Sequence, residues 1–290
     1  MRRPIIGAAV ASIGIAALVM VGAGAGISAG ASGSRAAIAD LVARPVGGGV
    51  MVRSDPHRAL PVHGGTTISS NWSGYAVNNP AGPVTEVTST FVVPTAGLIP
   101  PGFGATWTGI GGYSSQDLIQ AGVEEDSLPL LGNQYFAWYE LIPASETPLT
   151  DCYFDSSCTV HPGDSIYVRI QQIGATEWNV FMMDANHWIF SKNLDYTSTR
   201  SSAEWILEAP TVIVQSPTIS ADNMVPFGPT STYSINGGAP QSIASGNPTQ
   251  IDLSLEQLGL LTEATPSPLD RTGQSFNDCT YMQSCPAPTS

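Results

Sequence analysis

From Thr66 onward, apolar and polar residues alternate in short runs broken by Gly, Pro, Asn and Asp. Successive side chains of an extended chain point to opposite sides, so such runs predict strands with one face packed. They fall at Ser70–Val77, Val84–Val93, Ala105–Ile110, Asp117–Val123, Gln134–Leu141, Ser165–Ile173, Glu177–Asp184, His187–Asn193, Ser202–Glu208, Thr211–Val214 and Thr230–Ile235. Turn signals such as Asn79-Pro80, Pro101-Gly102, Pro162-Gly163-Asp164 and Asn236-Gly237 separate them. Only Ser254–Thr262 has a helical period, with Leu255, Leu258 and Leu261. Many short strands with few helical windows predict an all-β sandwich of two antiparallel, multi-stranded sheets. A body of about 225 residues is long for an immunoglobulin-like unit but suits one large sandwich with a single core.

The run Ser202–Glu208 stands out. Read as a strand, it turns Glu204, Ile206 and Glu208 to one side and Ala203, Trp205 and Leu207 to the other. Pro210 then ends it, since proline cannot donate to a sheet ladder. Two carboxylates on one face, with no basic neighbour in sequence, repel each other, and a plain surface strand would carry Thr, Ser, Lys or Arg there. This is a first pointer to a site.

The ends of the chain read differently. Met1-Arg2-Arg3 is followed by an uncharged apolar run from Pro4 to Val21, then by small residues with Ala23-Gly24-Ala25 and Ala29-Gly30-Ala31. Residues 1–30 are therefore expected to be a secretory signal peptide, with a membrane anchor as the alternative. Residues 31–65, rich in Gly, Ala and Arg, read as a propeptide or a disordered linker. The sandwich is assigned to 66–240, and 241–290 to a C-terminal extension packing on it. The stretch from Pro266 is polar and Pro-rich and is expected at the surface.

Charge sharpens this. Six of the ten basic residues precede residue 65; from Thr66 onward only Arg169, Lys192, Arg200 and Arg271 stand against 21 acids, a formal balance of −17. Such a polyanion excludes nucleic acid and an anionic membrane surface as partners. In acid its carboxylates neutralise and little self-repulsion is left, which suits a secreted, extracellular protein that works at low pH. Cys152, Cys158, Cys279 and Cys285 form two pairs of equal spacing. Three connectivities are possible, and the local pairs Cys152–Cys158 and Cys279–Cys285 are expected.

Several chemistries have no residues to carry them. There is no G-x-S-x-G elbow, H-E-x-x-H motif, phosphate-binding loop or dinucleotide fingerprint. His161, before Pro162, and His187, between Asn186 and Trp188, read as surface residues, so neither a serine–histidine enzyme nor a metal site is expected, and no cofactor. What remains is carboxylates, amides and aromatics.

Several stretches are rich in these: Asn71-Trp72-Ser73-Gly74, Trp107-x-Gly109-Ile110-x-Gly112, Ile119-Gln120-x-Gly122-Val123, Ala137-Trp138-Tyr139-Glu140, Gly163-Asp164, Ala203-Glu204-Trp205-Ile206-x-Glu208 and Phe227-Gly228. In this order they resemble the glutamic peptidases, or eqolisins. The resemblance implies a concanavalin A-like, jelly-roll sandwich and an acid-acting endopeptidase. Its catalytic pair would be Gln120 and Glu204, with Trp72, Trp107, Glu124, Trp138 and Glu140 around the substrate. It implies polypeptide substrates, a pepstatin-insensitive reaction and a monomer free of the membrane once the signal is removed. Gly111 stands where the pattern has an Asp, Glu124 where it has an Asp, and Phe136 where it has an acid; the cysteines also differ. Two other readings remain open: a carbohydrate-binding sandwich, and a glycoside hydrolase using Glu204 with Glu140.

Overall fold

The computed structural model describes residues 59–63, 66–97, 102–128, 132–185, 187–210, 219–222, 224–254, 262–282 and 284–289. The predicted strand Thr211–Val214 lies outside them, as do Leu255, Leu258 and Leu261 of the predicted helix. Ser254 ends one strand and Thr262 begins the next. A short 3-10 turn, Ile243–Gly246, is the only helical element among the described residues, and no helix there is long and apolar enough to cross a membrane.

The strands build two layers. The first sheet runs Thr147–Pro148, Gly132–Ile142, Leu118–Leu128, Ala105–Gly111, Ser202–Glu208, Trp72–Asn78, Thr249–Ser254, each antiparallel to the next. The second runs Trp188–Asp195, Glu177–Asp184, Ser165–Gln172, Val84–Val92, Thr232–Ile235, Gln241–Ser242, again antiparallel. Between them lies the main core, with Val77, Ile119, Ala121, Val123, Trp205 and Leu207 from the first sheet. Phe91, Ile166, Val168, Ile170, Val180 and Met182 meet them from the second. The predicted alternation of Ser202–Glu208 is thus realised, with the Trp205 side facing the core.

One edge is closed by strands that the sequence pattern did not reveal. Thr249–Ser254 pairs with Thr262–Pro266, which pairs with Phe276–Thr280, which pairs with Met224–Phe227. Phe227 then meets Phe91 of the second sheet. The Phe227 ring stacks on Phe276 at 4.6 Å and lies 5.9 Å from Phe91. The stretch beyond Pro266 was expected at the surface, yet Phe276–Thr280 is wholly buried. Its buried Asp278 accepts a 2.7 Å hydrogen bond from Ser73. An isolated polar strand gains nothing by itself; it is held because it completes ladders on both sides and seats Phe276 in the core.

Both cysteine pairs form locally, Cys152–Cys158 and Cys279–Cys285. Ala59–His63 forms a strand against Thr66–Ser69, which itself pairs in parallel with Thr249–Ser254.

Candidate active site

The face of the first sheet turned away from the core carries the candidate residues. Strand register puts them in rows. In one row Glu140 lies opposite Gln120, Gln120 opposite Gly109, Gly109 opposite Glu204, and Glu204 opposite Ala76. The next row holds Trp138, Gly122, Trp107, Ile206 and Gly74, and the one beyond it Phe136, Glu124, Ala105, Glu208 and Trp72. Gln120 and Glu204 are therefore two strand spacings apart, about 9.5 Å between backbones. The residue between them has no side chain. A Cβ at Gly109 would stand 3.0 Å from both Trp107 Cζ3 and Leu118 Cδ1, on this same face. The glycine leaves a gap in the row of side chains between the Gln120 amide and the Glu204 carboxyl, and the Trp107 and Leu118 side chains pack over it.

Each wall of the gap is fixed by neighbours. Gln120 Nε2 donates to Glu140 Oε2 at 2.7 Å, and its Oε1 has no hydrogen-bond partner among the described residues. Trp107 stands over Gly122, where a Cβ would come within 2.5 Å of Trp107 Cβ. The Trp107 indole donates to Glu208 Oε2 at 2.9 Å, and Asn71 Nδ2 donates to Glu208 Oε1 at 3.4 Å. Trp72 packs edge-on against Trp107 with centroids 4.9 Å apart. At the end of the row, Tyr196 accepts from the Leu118 amide at 2.8 Å and donates to the Ile142 carbonyl at 2.7 Å. That hydroxyl ties the Gln120 strand to the Glu140 strand.

Glu208 was read as a charge that repels Glu204; its work is to hold the Trp107 indole. Gly111 sits at φ +91, and a Cβ there would meet the Asp117 carbonyl oxygen at 2.5 Å, so the Asp of the family pattern has no room at this position.

Burial is more complete than a cleft lining suggests. Gln120, Glu124, Glu140, Glu204, Glu208, Trp72, Trp107 and Trp138 are all fully buried. Neither Glu204 oxygen has a hydrogen-bond partner among the described residues. Burial pushes its carboxyl well above the usual range; the Ser202 hydroxyl nearby offsets part of this, and the charge of Asp117 adds to the rise. Asp117 holds its own charge: burial would raise it, but hydrogen bonds from Thr199, Ser115 and Ser198 bring it below the ordinary value.

A second group of acids lies further along this face. Burial drives Glu124 and Glu146 well above the ordinary carboxylate range; the charges of Glu146 and Asp126 add to the rise at Glu124, and that of Glu140 adds to it at Glu146. Asp126 is pushed up to about 7, mainly by burial. Sequence reading missed Asp126 and Glu146, because an acidic run such as Glu124-Glu125-Asp126 looks like a solvated turn; the strand in fact continues to Leu128.

The rows bear on the glycoside hydrolase reading. Glu140 and Glu204 are separated by Gln120 and Gly109, three strand spacings or about 14 Å between backbones, and the Glu140 carboxyl accepts from the Gln120 amide that stands between them. The tryptophans of this face are covered, to a sugar and to a peptide alike.

A family model described as "Peptidase A4 family" matches residues 70–267. No curated protein matches the chain. Among solved structures, the chain is similar to scytalido-glutamic peptidase with a transition state analog inhibitor, at 20% identity and TM-score 0.58, over 73% of this chain and 98% of that one. It is also similar to SCP-B, a member of the Eqolisin family of peptidases in complex with a tripeptide Ala-Ile-His, at 20% identity and TM-score 0.55, over the same shares. At this identity the likeness bears on the fold, and it agrees with the sandwich described above.

Proposed function

The chain belongs to the Peptidase A4 family, and on that premise we propose that it cleaves peptide bonds by direct attack of water, with Glu204 as general base and Gln120 as the amide partner. The observation that carries this reading is the row Gln120–Gly109–Glu204, in which a side-chain-free position separates an amide from a carboxyl on one buried face. A water in that gap can give its proton to Glu204 while its oxygen attacks the peptide carbonyl. The oxyanion that forms accepts an N–H from Gln120. An amide has two N–H groups, and only one is engaged with Glu140, so the second is available. Glu204 then passes the proton to the leaving nitrogen, the C–N bond breaks, and an acid and an amine depart. Glu140 positions Gln120, and Trp107 and Trp138 flank the gap from the next row.

The site is closed, so peptide access requires this face to open. In the closed state Glu204 holds its proton above the ordinary glutamate value of 4.5. Opening to water lowers that value toward the ordinary one; the acid limb of kcat/KM reports the free enzyme and should lie above the ordinary value, while that of kcat reports the peptide complex. The signal peptide over 1–30, the propeptide over 31–65, secretion and a monomeric state belong to the same proposal; the two disulfides support an oxidising compartment.

The test is hydrolysis of a denatured protein substrate between pH 2 and 6, with pepstatin present. The processed wild-type chain should cleave it. Glu204→Gln should lose about 10²–10⁴-fold in kcat, and Gln120→Ala about 10²–10³-fold. Activity that survives Glu204→Gln would overturn the assignment.

A further inference from the structure

Away from this face, at one end of the second sheet, two turns come together. The turn His161-Pro162-Gly163-Asp164 leads into Ser165–Gln172, and the turn after Asp184 leads into Trp188–Asp195. Pairing of Ile166 with Asp184, and of Asp184 with Trp188, sets the two turns side by side. His161, Asp164 and His187 each offer a ligand atom within 4.8 Å of the other two. The imidazole centroids are 6.1 Å apart, and His161 Nδ1 is 3.5 Å from Asp164 Oδ2.

A fourth residue gives this group direction. Asp184 is buried, and its Oδ2 lies 2.6 Å from His187 Nδ1. With Nδ1–H donating to this carboxylate, Nε2 of His187 is the nitrogen left for a ligand. A carboxylate behind an imidazole is the arrangement that orients metal-binding histidines.

We propose that His161, Asp164 and His187 form a binding site for a divalent first-row metal ion, with zinc as the ion their chemistry matches and Asp184 as the positioning carboxylate. Two imidazoles and one carboxylate suit zinc, which takes nitrogen and oxygen ligands at about 2.0–2.2 Å in a tetrahedron with water in the fourth place. Ligand atoms in such a tetrahedron lie about 3.4 Å apart by that geometry. The His161 side chain is 63% exposed, and a rotation of its ring would bring the ligand atoms to that spacing. The ion would staple the two turns together beside the Cys152–Cys158 loop, whose Tyr153 is paired with Ile189. The sequence conceals this site, because its ligands come from separate turns with no metal-binding spacing.

The experiment is a calorimetric zinc titration of the disulfide-intact chain at about pH 7.5, where imidazoles are largely unprotonated, with cobalt substituted for its absorption spectrum. One ion per chain is expected. His161→Ala and His187→Ala should each weaken binding at least tenfold, about one lost ligand's worth, and leave peptidase activity unchanged. Asp184→Asn should weaken it about 10–100-fold and shift the cobalt spectrum, which a purely structural role would not do. Binding no tighter than about 1 mM, or binding that persists in the exposed-site variant His161→Ala, would overturn the proposal; the latter would send the ion to the buried acids instead.

Discussion

The two sheets alternate along their sequences in the same way, and they treat the polar half of the alternation in opposite ways. On the outer face of the second sheet, Asn179 donates to Ser191 and Asn193, and the Arg169 guanidinium lies 5.4 Å over the Phe181 ring. These groups meet water and each other. On the outer face of the first sheet, Gln120, Glu124, Glu140, Glu204 and Glu208 are sealed off. Two of the body's few cations are engaged elsewhere: Lys192 binds the Tyr139 hydroxyl at 3.0 Å, and Arg200 binds Gln172 at 2.9 Å. Alternation tells which residues share a face. It does not tell whether that face meets water, and a buried carboxyl with no cation beside it keeps its proton.

The strongest way to break this contrast is Glu204→Gln. The substitution keeps the shape of the protonated acid, so the activity loss given above should come without loss of stability. At neutral pH, thermal unfolding should show the variant equal to or more stable than the wild type, because burying Glu204 requires the folding chain to take up a proton and burying a glutamine does not. A Glu204→Gln chain that melts well below the wild type would mean that Glu204 is structural.

Next in size is the response to pH. The buried acids have raised folded-state values: about 7 for Asp126, about 8 for Glu125 and about 7 for Glu263, each chiefly through burial. A raised carboxyl binds a proton in the folded chain where the unfolded chain has already released it. Its stabilisation is complete below about pH 4, where both states are protonated. It is lost as pH rises through the window from about 4 to about 8. The melting temperature should therefore be highest in acid and fall toward pH 8, the reverse of a protein held by surface ion pairs. A melting curve flat across that range would remove the contrast between the faces.

Glu208→Ala probes a single bond within the sealed face. It strands the Trp107 indole N–H and the Asn71 amide, at a cost of about 1–3 kcal/mol. Glu208→Gln keeps an acceptor and should recover most of it in denaturant unfolding. The smallest effect belongs to the open face: Glu177→Gln, exposed beside Asn193, should change stability by less than about 0.5 kcal/mol.

The sequence showed much of this and hid a definite part. Glu177–Asp184 and Ser202–Glu208 form strands with the predicted bounds, because their alternation is strict and their ends are marked. Phe276–Thr280 was missed, since Asn277, Asp278 and Thr280 are polar and owe their burial to partners distant in sequence. Thr249–Ser254 was overlooked beside a leucine spacing that suggested a helix. At the site, the motifs put Gln120, Glu140 and Glu204 on one face. The order in which strands sit side by side is a long-range property, so the interposed Gly109 could not be read as the spacer.

That spacer has a consequence for how the chain can change. The amide and the carboxyl sit on strands that are never neighbours, and their separation is set by the width of the strand between them. Loops can lengthen, shorten or be replaced without altering it. A single inserted residue within Ala105–Gly111 is another matter. It would turn Thr108 or Ile110 into the gap and Trp107 into the core, inverting both faces at once. Drift in this chain is therefore expected to accumulate in loop lengths, while this one strand keeps its count of residues and its glycines, Gly109 and Gly111.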